Sequence, residues 1–212
     1  MNFKIFILLI ISITISAYAC ANTKNEAGLW LGYFSQEKFN NKSSLHFDAQ
    51  LRHNLSQGKM NQTLVRFGYL HGLNDQHKLG LLFAYADSDN AKEYRPTLQH
   101  LYLGNKYLTI RQRLEFRDLE NVDEDSWRYR LLTRFKNIQI KDDLQFVVWN
   151  EIFINLGNED WTGNRTIERN RFFVGPRHKF KNFSLEWGYM NQFIPRSNKE
   201  TYEHILVSNF IF

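Results

Sequence analysis

Six arginines spaced two and four residues apart carry the densest chemistry in this chain. Arg111, Arg113 and Arg117 lie in one short segment with Glu115 among them, and Arg128, Arg130 and Arg134 lie in the next. In an extended chain, residues two apart share a face, so each segment projects its charges in one direction. If the two segments pair as a hairpin, all six guanidinium groups meet Glu115 on one side. Glu151, Arg169, Arg171 and Glu186 can join them from other strands. Guanidinium groups this close repel one another unless carboxylates or bound anions lie between them. Arg–carboxylate pairs are often bidentate, which makes them directional ties. Two readings follow: a salt-bridge network that plugs and stiffens a narrow interior, or an interior that attracts phosphate-bearing or carboxylated solutes. The network is the default, because long side chains leave little open width in a small closed sheet.

Nucleophilic chemistry has weaker support. A lipid hydrolase or acyl transferase needs a serine beside a histidine and an orienting polar group. Ser44, Ser184 and Ser208 stand in extended segments, and seven histidines are scattered along the chain. His204 and Ser208 share a face, but four residues of extended chain separate them too far for a direct bond. No histidine pair has helical zinc spacing. No catalytic residue, metal or cofactor is therefore expected. The acidic run Asp118 to Asp125 could bridge divalent cations to lipopolysaccharide phosphates, although its spacing fits a solvated charged loop better.

The elements that must position these residues are strands. In Leu45 to Arg52, Leu45, Phe47, Ala49 and Leu51 form one face and His46, Asp48, Gln50 and Arg52 the other. The same period-two pattern recurs through most of the chain. It marks eleven candidate strands, near 29–39, 43–54, 60–72, 76–87, 94–104, 106–118, 126–136, 142–155, 168–180, 182–193 and 203–212. Most exceed the usual length of about 5–6 residues and match the roughly 9–11 needed to cross a membrane at a tilt. Tight turns at Asn40-Asn41, Asn74-Asp75, Asn105-Lys106 and Lys181-Asn182 alternate with longer connections at 87–93, 119–125, 156–167 and 194–202. The pattern predicts an all-β fold, a single antiparallel up-and-down transmembrane β-barrel. Bacterial barrels use even strand numbers, so twelve strands are expected, with ten the next choice. A secreted soluble β-sandwich binding module is the competing fold.

The two ends of the chain point the same way. Met1 to Lys4 is short and positive, Ile5 to Ile15 is largely apolar, and small residues follow at Ser16 to Ala21. That order is a secretory signal peptide, assigned to residues 1–21, with the barrel domain at 22–212. The apolar run is too short for a membrane-spanning helix of about 20 residues. Cys20, the sole cysteine, is either removed with the signal or lipidated, so disulfides do not hold the fold. The final strand stops at the aromatic Phe212, like the signal by which barrel-assembly machinery recognises its clients. Expected partners are that machinery, outer-membrane lipids and lipopolysaccharide. The net charge of +5 is spread through the strands, without a basic tail, so nucleic acid is not expected. Trp30, Tyr33, Tyr69, Tyr85, Trp127, Tyr129, Trp149, Trp161, Trp187 and Tyr189 are expected as interface girdles on the outside.

Four motifs occur in a fixed order: Arg95-Pro96 with Gln99 in 93–100; Arg111, Arg113, Glu115 and Arg117; Asn170-Arg171-Phe172; and Gly188-Tyr189-Met190-Asn191-Gln192. Together they resemble the domain-of-unknown-function 2490 family, from about Trp30 to Phe212. The resemblance implies a bacterial outer-membrane barrel and brings no established activity, ligand or catalytic residue. The resulting expectation is a structural or channel-like barrel with an Arg/Glu-rich lumen that admits small anionic solutes. The alternatives are a lipid-modifying barrel enzyme and the soluble sandwich.

Overall fold

A computed structural model describes residues 23–89, 91–157, 165–195 and 200–212. The segment read as a signal peptide, with Cys20, and the expected girdle residue Trp161 lie outside the described residues. Eleven strands appear among the described residues: β1 (Thr23–Lys38), β2 (Ser43–Asn54), β3 (Lys59–Gly72), β4 (His77–Ser88), β5 (Ala91–Tyr102), β6 (Leu108–Leu119), β7 (Ser126–Gln139), β8 (Leu144–Asn155), β9 (Ile167–Lys179), β10 (Ser184–Ile194) and β11 (Glu200–Ile211). Each pairs with its neighbour in sequence, and β1 closes on β11 to form a barrel. A closed sheet leaves no second layer to pack against, so the fold is a barrel and not a sandwich.

The expected even count does not hold. Strands that alternate up and down eleven times leave the first and last running the same way, and β1 pairs with β11 in parallel, from Thr23↔Glu200 to Phe34↔Ile211. Every other neighbouring pair is antiparallel. Parallel bonds are slanted and slightly weaker per residue, yet twelve consecutive pairs satisfy the edge that an open sheet would leave bare.

The turns at one rim share a mechanism. Asn40 Oδ1 accepts bonds from the backbone N–H groups of Lys42 and Ser43 at 2.9 and 2.7 Å. Asn74 does the same for Gln76 and His77, and Asn105 for Tyr107 and Leu108. A short side-chain carbonyl that mimics a backbone acceptor closes the turn locally, which is why asparagine marks them in the sequence. At the other rim the lengths vary. The expected long connection at 87–93 is in fact tight, with Ser88 paired directly to Ala91. There Ser88 Oγ donates to the carbonyl of Ala91 at 2.8 Å.

Alternation divides the side chains as the sequence implies. Outward residues are large and apolar, with Leu81 68% and Leu206 61% exposed, and they continue through Phe47, Phe67, Leu98, Trp127 and Trp187. Inward residues are mostly polar and buried. One apolar cluster interrupts them, formed by Val147, Phe173, Met190, Ile205 and Val207 with Trp30 and Trp149 packed against it. Trp30 and Trp149 are therefore interior residues, contrary to the girdle expected of them. Their parity on β1 and β8 sets them beside inward-facing partners, Val207 across the seam and Phe173 across the β8–β9 pair.

Two glycines allow a close approach of β9 and β10. A Cβ on Gly175 would stand 2.1 Å from the Trp187 carbonyl oxygen and 2.8 Å from Gly188 Cα. On Gly188 it would stand 2.3 Å from the Val174 carbonyl oxygen. Only hydrogen fits where the two backbones come this close.

Candidate functional site

The β6–β7 hairpin sets the centre of the lumen. Glu115 lies opposite Arg128, and Arg113 lies opposite Arg130, all four inside. Glu115 is fully buried and takes one arginine on each oxygen: Arg128 Nη2 at 2.5 Å on Oε2 and Arg130 Nη1 at 2.6 Å on Oε1. Like charges directly across a ladder destabilise it. Arg113 and Arg130 avoid this by diverging, since Arg130 turns to Glu115 and Glu151. Arg113 instead turns to β5, where its Nε donates to Gln99 Oε1 at 2.7 Å.

The other sequence-derived residues gather around this hairpin. Glu151 on β8 holds Arg130 at 2.8 Å, Arg111 at 2.9 Å and Arg171 at 3.8 Å. Glu186 on β10 pairs with Arg134, and with Arg177 at 3.3 Å. Arg117 reaches Glu93 on β5 at 2.5 Å and Glu168 on β9 at 3.5 Å. Arg169 pairs with Glu168. All eleven residues singled out from the sequence thus face the lumen; ten fall in two connected groups, one around Glu115, Glu151 and Glu168 and the other around Glu186, while Arg113 meets Gln99.

Sequence reasoning missed several members. Glu168 takes Arg128 at 2.9 Å as well as Arg117 and Arg169. Strict alternation would send Glu168 outside, because Arg169 and Arg171 point in. The register between β8 and β9 shifts at Phe153/Ile154, so Phe153 faces Arg169 while Ile154 faces Ile167. The extra residue in that bulge is Glu168, turned inward. Glu93 also bonds Arg95 at 2.5 Å, and Asp48 holds Arg66 at 3.0 Å. Asp48 and Arg52 were visible on the polar face of 45–52, but only the closed sheet brings them to the arginines of β6 and β7. Arg66 and Arg95 flank Ala84 across the β3–β4 and β4–β5 pairs, and the small β4 side chain leaves room for both.

Aromatic rings occupy the remaining space between the cations. The guanidinium of Arg52 lies 4.1 Å from the Trp30 ring centre and that of Arg171 4.7 Å. Arg130 and Arg171 lie 4.4 and 4.5 Å from Phe153. The negative face of each ring eases repulsion between cations that lack enough carboxylates. Trp30 and Arg52 also line two cavities. One is a mid-barrel chamber of about 110 Å³, lined by seven arginines and two carboxylates, Glu151 and Glu186. The other is a polar vestibule of about 410 Å³ at the rim where β1 begins, lined by Lys24, Lys59 and Arg169 among others.

Among the described residues no cluster of three or more His, Cys, Asp or Glu could hold a metal ion. Ser43 Oγ lies 3.4 Å from His71 Nδ1 and 2.8 Å from the Tyr69 hydroxyl, and among the described residues no carboxylate pairs with this imidazole. Among the described residues no helix is long and apolar enough to cross a membrane.

A closed sheet with an apolar exterior and an arginine-rich interior defines a porin-like β-barrel. The chain belongs to a family described as protein of unknown function (DUF2490), whose profile matches residues 27–203. It is similar in fold to a solved structure titled "NanC porin structure in rhombohedral crystal form", with a TM-score of 0.52 and 12% sequence identity. That likeness covers 82% of this chain and 93% of the other. No curated protein matches the chain.

Proposed function

We propose that this protein is a bacterial outer-membrane barrel, exported by its first 21 residues, whose cationic lumen admits small anions. The observation that carries the reading is the inversion of ordinary soluble design. Large apolar side chains such as Leu81 and Leu206 are exposed while Glu115, Arg113 and Arg128 are buried. Water would penalise so large an apolar exterior, whereas a hydrocarbon bilayer matches it. Closure of β1 on β11 supports the same environment, because lipid tolerates no unpaired sheet edge.

The vestibule opens at the rim that carries the long connections after β6 and β8, which we assign to the cell exterior. Acidic residues 118–125 stand at that rim, where divalent cations could bridge them to lipopolysaccharide. The opposite rim carries the five short turns and the end of β11. There Phe212 donates its N–H to the Phe34 carbonyl at 2.8 Å and packs against Tyr33 and Phe183. A final aromatic at this position suits capture by barrel-assembly machinery.

Planar-bilayer conductance of the refolded protein tests the reading, with Arg111→Ala measured alongside. The expected result is a steady anion-selective current whose selectivity falls in the variant. A verified folded protein that carries no current would overturn the passage and leave a closed, structural barrel.

A further inference from the structure

We infer that the mid-barrel chamber is a binding site for a small organic carboxylate, anchored by Arg113 and Arg52 with its apolar part against Leu132 and Trp149. The inference rests on the reading of the lumen as anion-attracting and names the class of anion. Arg113 is 2% exposed and Arg52 8%. Among the described residues neither has a carboxylate within salt-bridge distance. Gln99 alone meets Arg113, and Gln50 and Gln62 meet Arg52. Nη1 of Arg113 and Nε of Arg52 are buried without a hydrogen-bond partner.

An uncompensated buried guanidinium is costly, and an apolar residue of similar volume would serve a purely structural role better. The nearby acids cannot supply the missing charge. Glu151 already holds three arginines, and Glu186 holds two. A planar oxyanion matches the fork of a guanidinium in two parallel bonds. Part of the chamber wall is apolar, formed by Leu132, Trp149, Met190 and Val207. A bare inorganic anion would leave that wall facing water. An organic carboxylate satisfies both walls, and about 110 Å³ accommodates several water molecules or one small solute. Entry from the vestibule passes Trp30 and Arg52, which line both cavities.

Calorimetric titration of the full chain refolded in detergent micelles tests this at constant ionic strength. The probes are benzoate, acetate, inorganic phosphate and benzylammonium. Benzoate is expected to bind more tightly than acetate or phosphate, and benzylammonium not at all. Arg113→Gln should weaken benzoate by about ten-fold or more, the loss of one charge-assisted contact, while the barrel still folds. Arg52→Gln provides the same test should Arg113→Gln fail to refold. No benzoate binding by the folded wild type, equal affinity in the folded variants, or tighter binding of phosphate would overturn the assignment. Benzoate binding without bilayer current would sink the passage and keep the site, whereas current without binding would do the reverse.

Discussion

Glu168 and Arg169 are consecutive in β9, yet both side chains enter the lumen, where they pair with each other. The bulge opposite Phe153 and Ile154 makes this possible, and it changes the charge balance of the interior. Without Glu168, Arg117 and Arg128 would each lose one carboxylate, Arg117 keeping Glu93 and Arg128 keeping Glu115. One inserted residue thus joins β9 to the network on β6 and β7.

Removing a carboxylate should hurt most where it is most deeply buried. Glu115→Gln takes one carboxylate from both Arg128 and Arg130 at a fully buried position, leaving them Glu168 and Glu151. A loss of about 3–5 kcal/mol is expected, read as a lower urea midpoint of the refolded barrel. Glu168→Gln should cost less, because Glu168 is less deeply buried than Glu115 and Arg169, which it releases, is a quarter exposed. An equal or reversed order would show that Glu115 is not the hub of the network.

The paired glycines predict a backbone effect with no charge involved. Gly175→Ala puts a Cβ 2.1 Å from a carbonyl oxygen of β10, and backbone cannot rotate away as a side chain can. The strain should cost about 1–3 kcal/mol or more and lower the refolding yield. Gly58→Asn is the useful contrast. Gly58 lies in a turn at φ +65°, a conformation asparagine tolerates, with open space around it. Its refolding should match wild type. Normal refolding of Gly175→Ala would mean that the β9–β10 contact is looser than the geometry states.

The exterior can be tested by a substitution whose sign depends on the solvent. Leu81 is the most exposed of the large apolar residues on the barrel wall. In a bilayer, Leu81→Arg should reduce the folding free energy by about 2–4 kcal/mol if the site lies near the midplane. In water the same change would be neutral or would raise solubility. Refolding into lipid vesicles, followed by the heat-dependent shift in gel mobility, separates the two. An unimpaired variant would remove the membrane assignment.

Much of this was legible in the sequence because a strand has a period of two and a closed sheet has one inside. The face of β2 that carries Asp48 and Arg52, and the faces of β6 and β7 that carry the arginines, follow from alternation alone. Three things were nevertheless missed, the first through alternation itself. It assigns Glu168 to the wrong side, since a bulge is a single-residue break that leaves no compositional mark. It does set Trp149 on the face of Glu151, but the expectation of an aromatic girdle overrode that, and Trp30 was misassigned with it. Parity on the strand decides the side of Trp30, and it is visible there only once Trp30 is seen beside Val207. The strand count failed for a different reason. Eleven segments were countable, and the rule that favours an even number displaced what the residues themselves displayed.

The parallel seam also constrains the order in which the barrel can form. Ten of its junctions are hairpins between adjacent segments, each closing a loop far shorter than the chain. The eleventh joins Thr23 to Glu200 and Phe34 to Ile211, across nearly the whole chain. Contacts of such long sequence separation are the slow ones, since their entropy must be lost before any bond forms. A late intermediate is therefore a curled ribbon with two bare edges, β1 and β11, each a template for the other. The same edges on a second molecule are equally complementary. At high concentration the competing product is then a strand-exchanged pair of chains, and dilution selects the monomer.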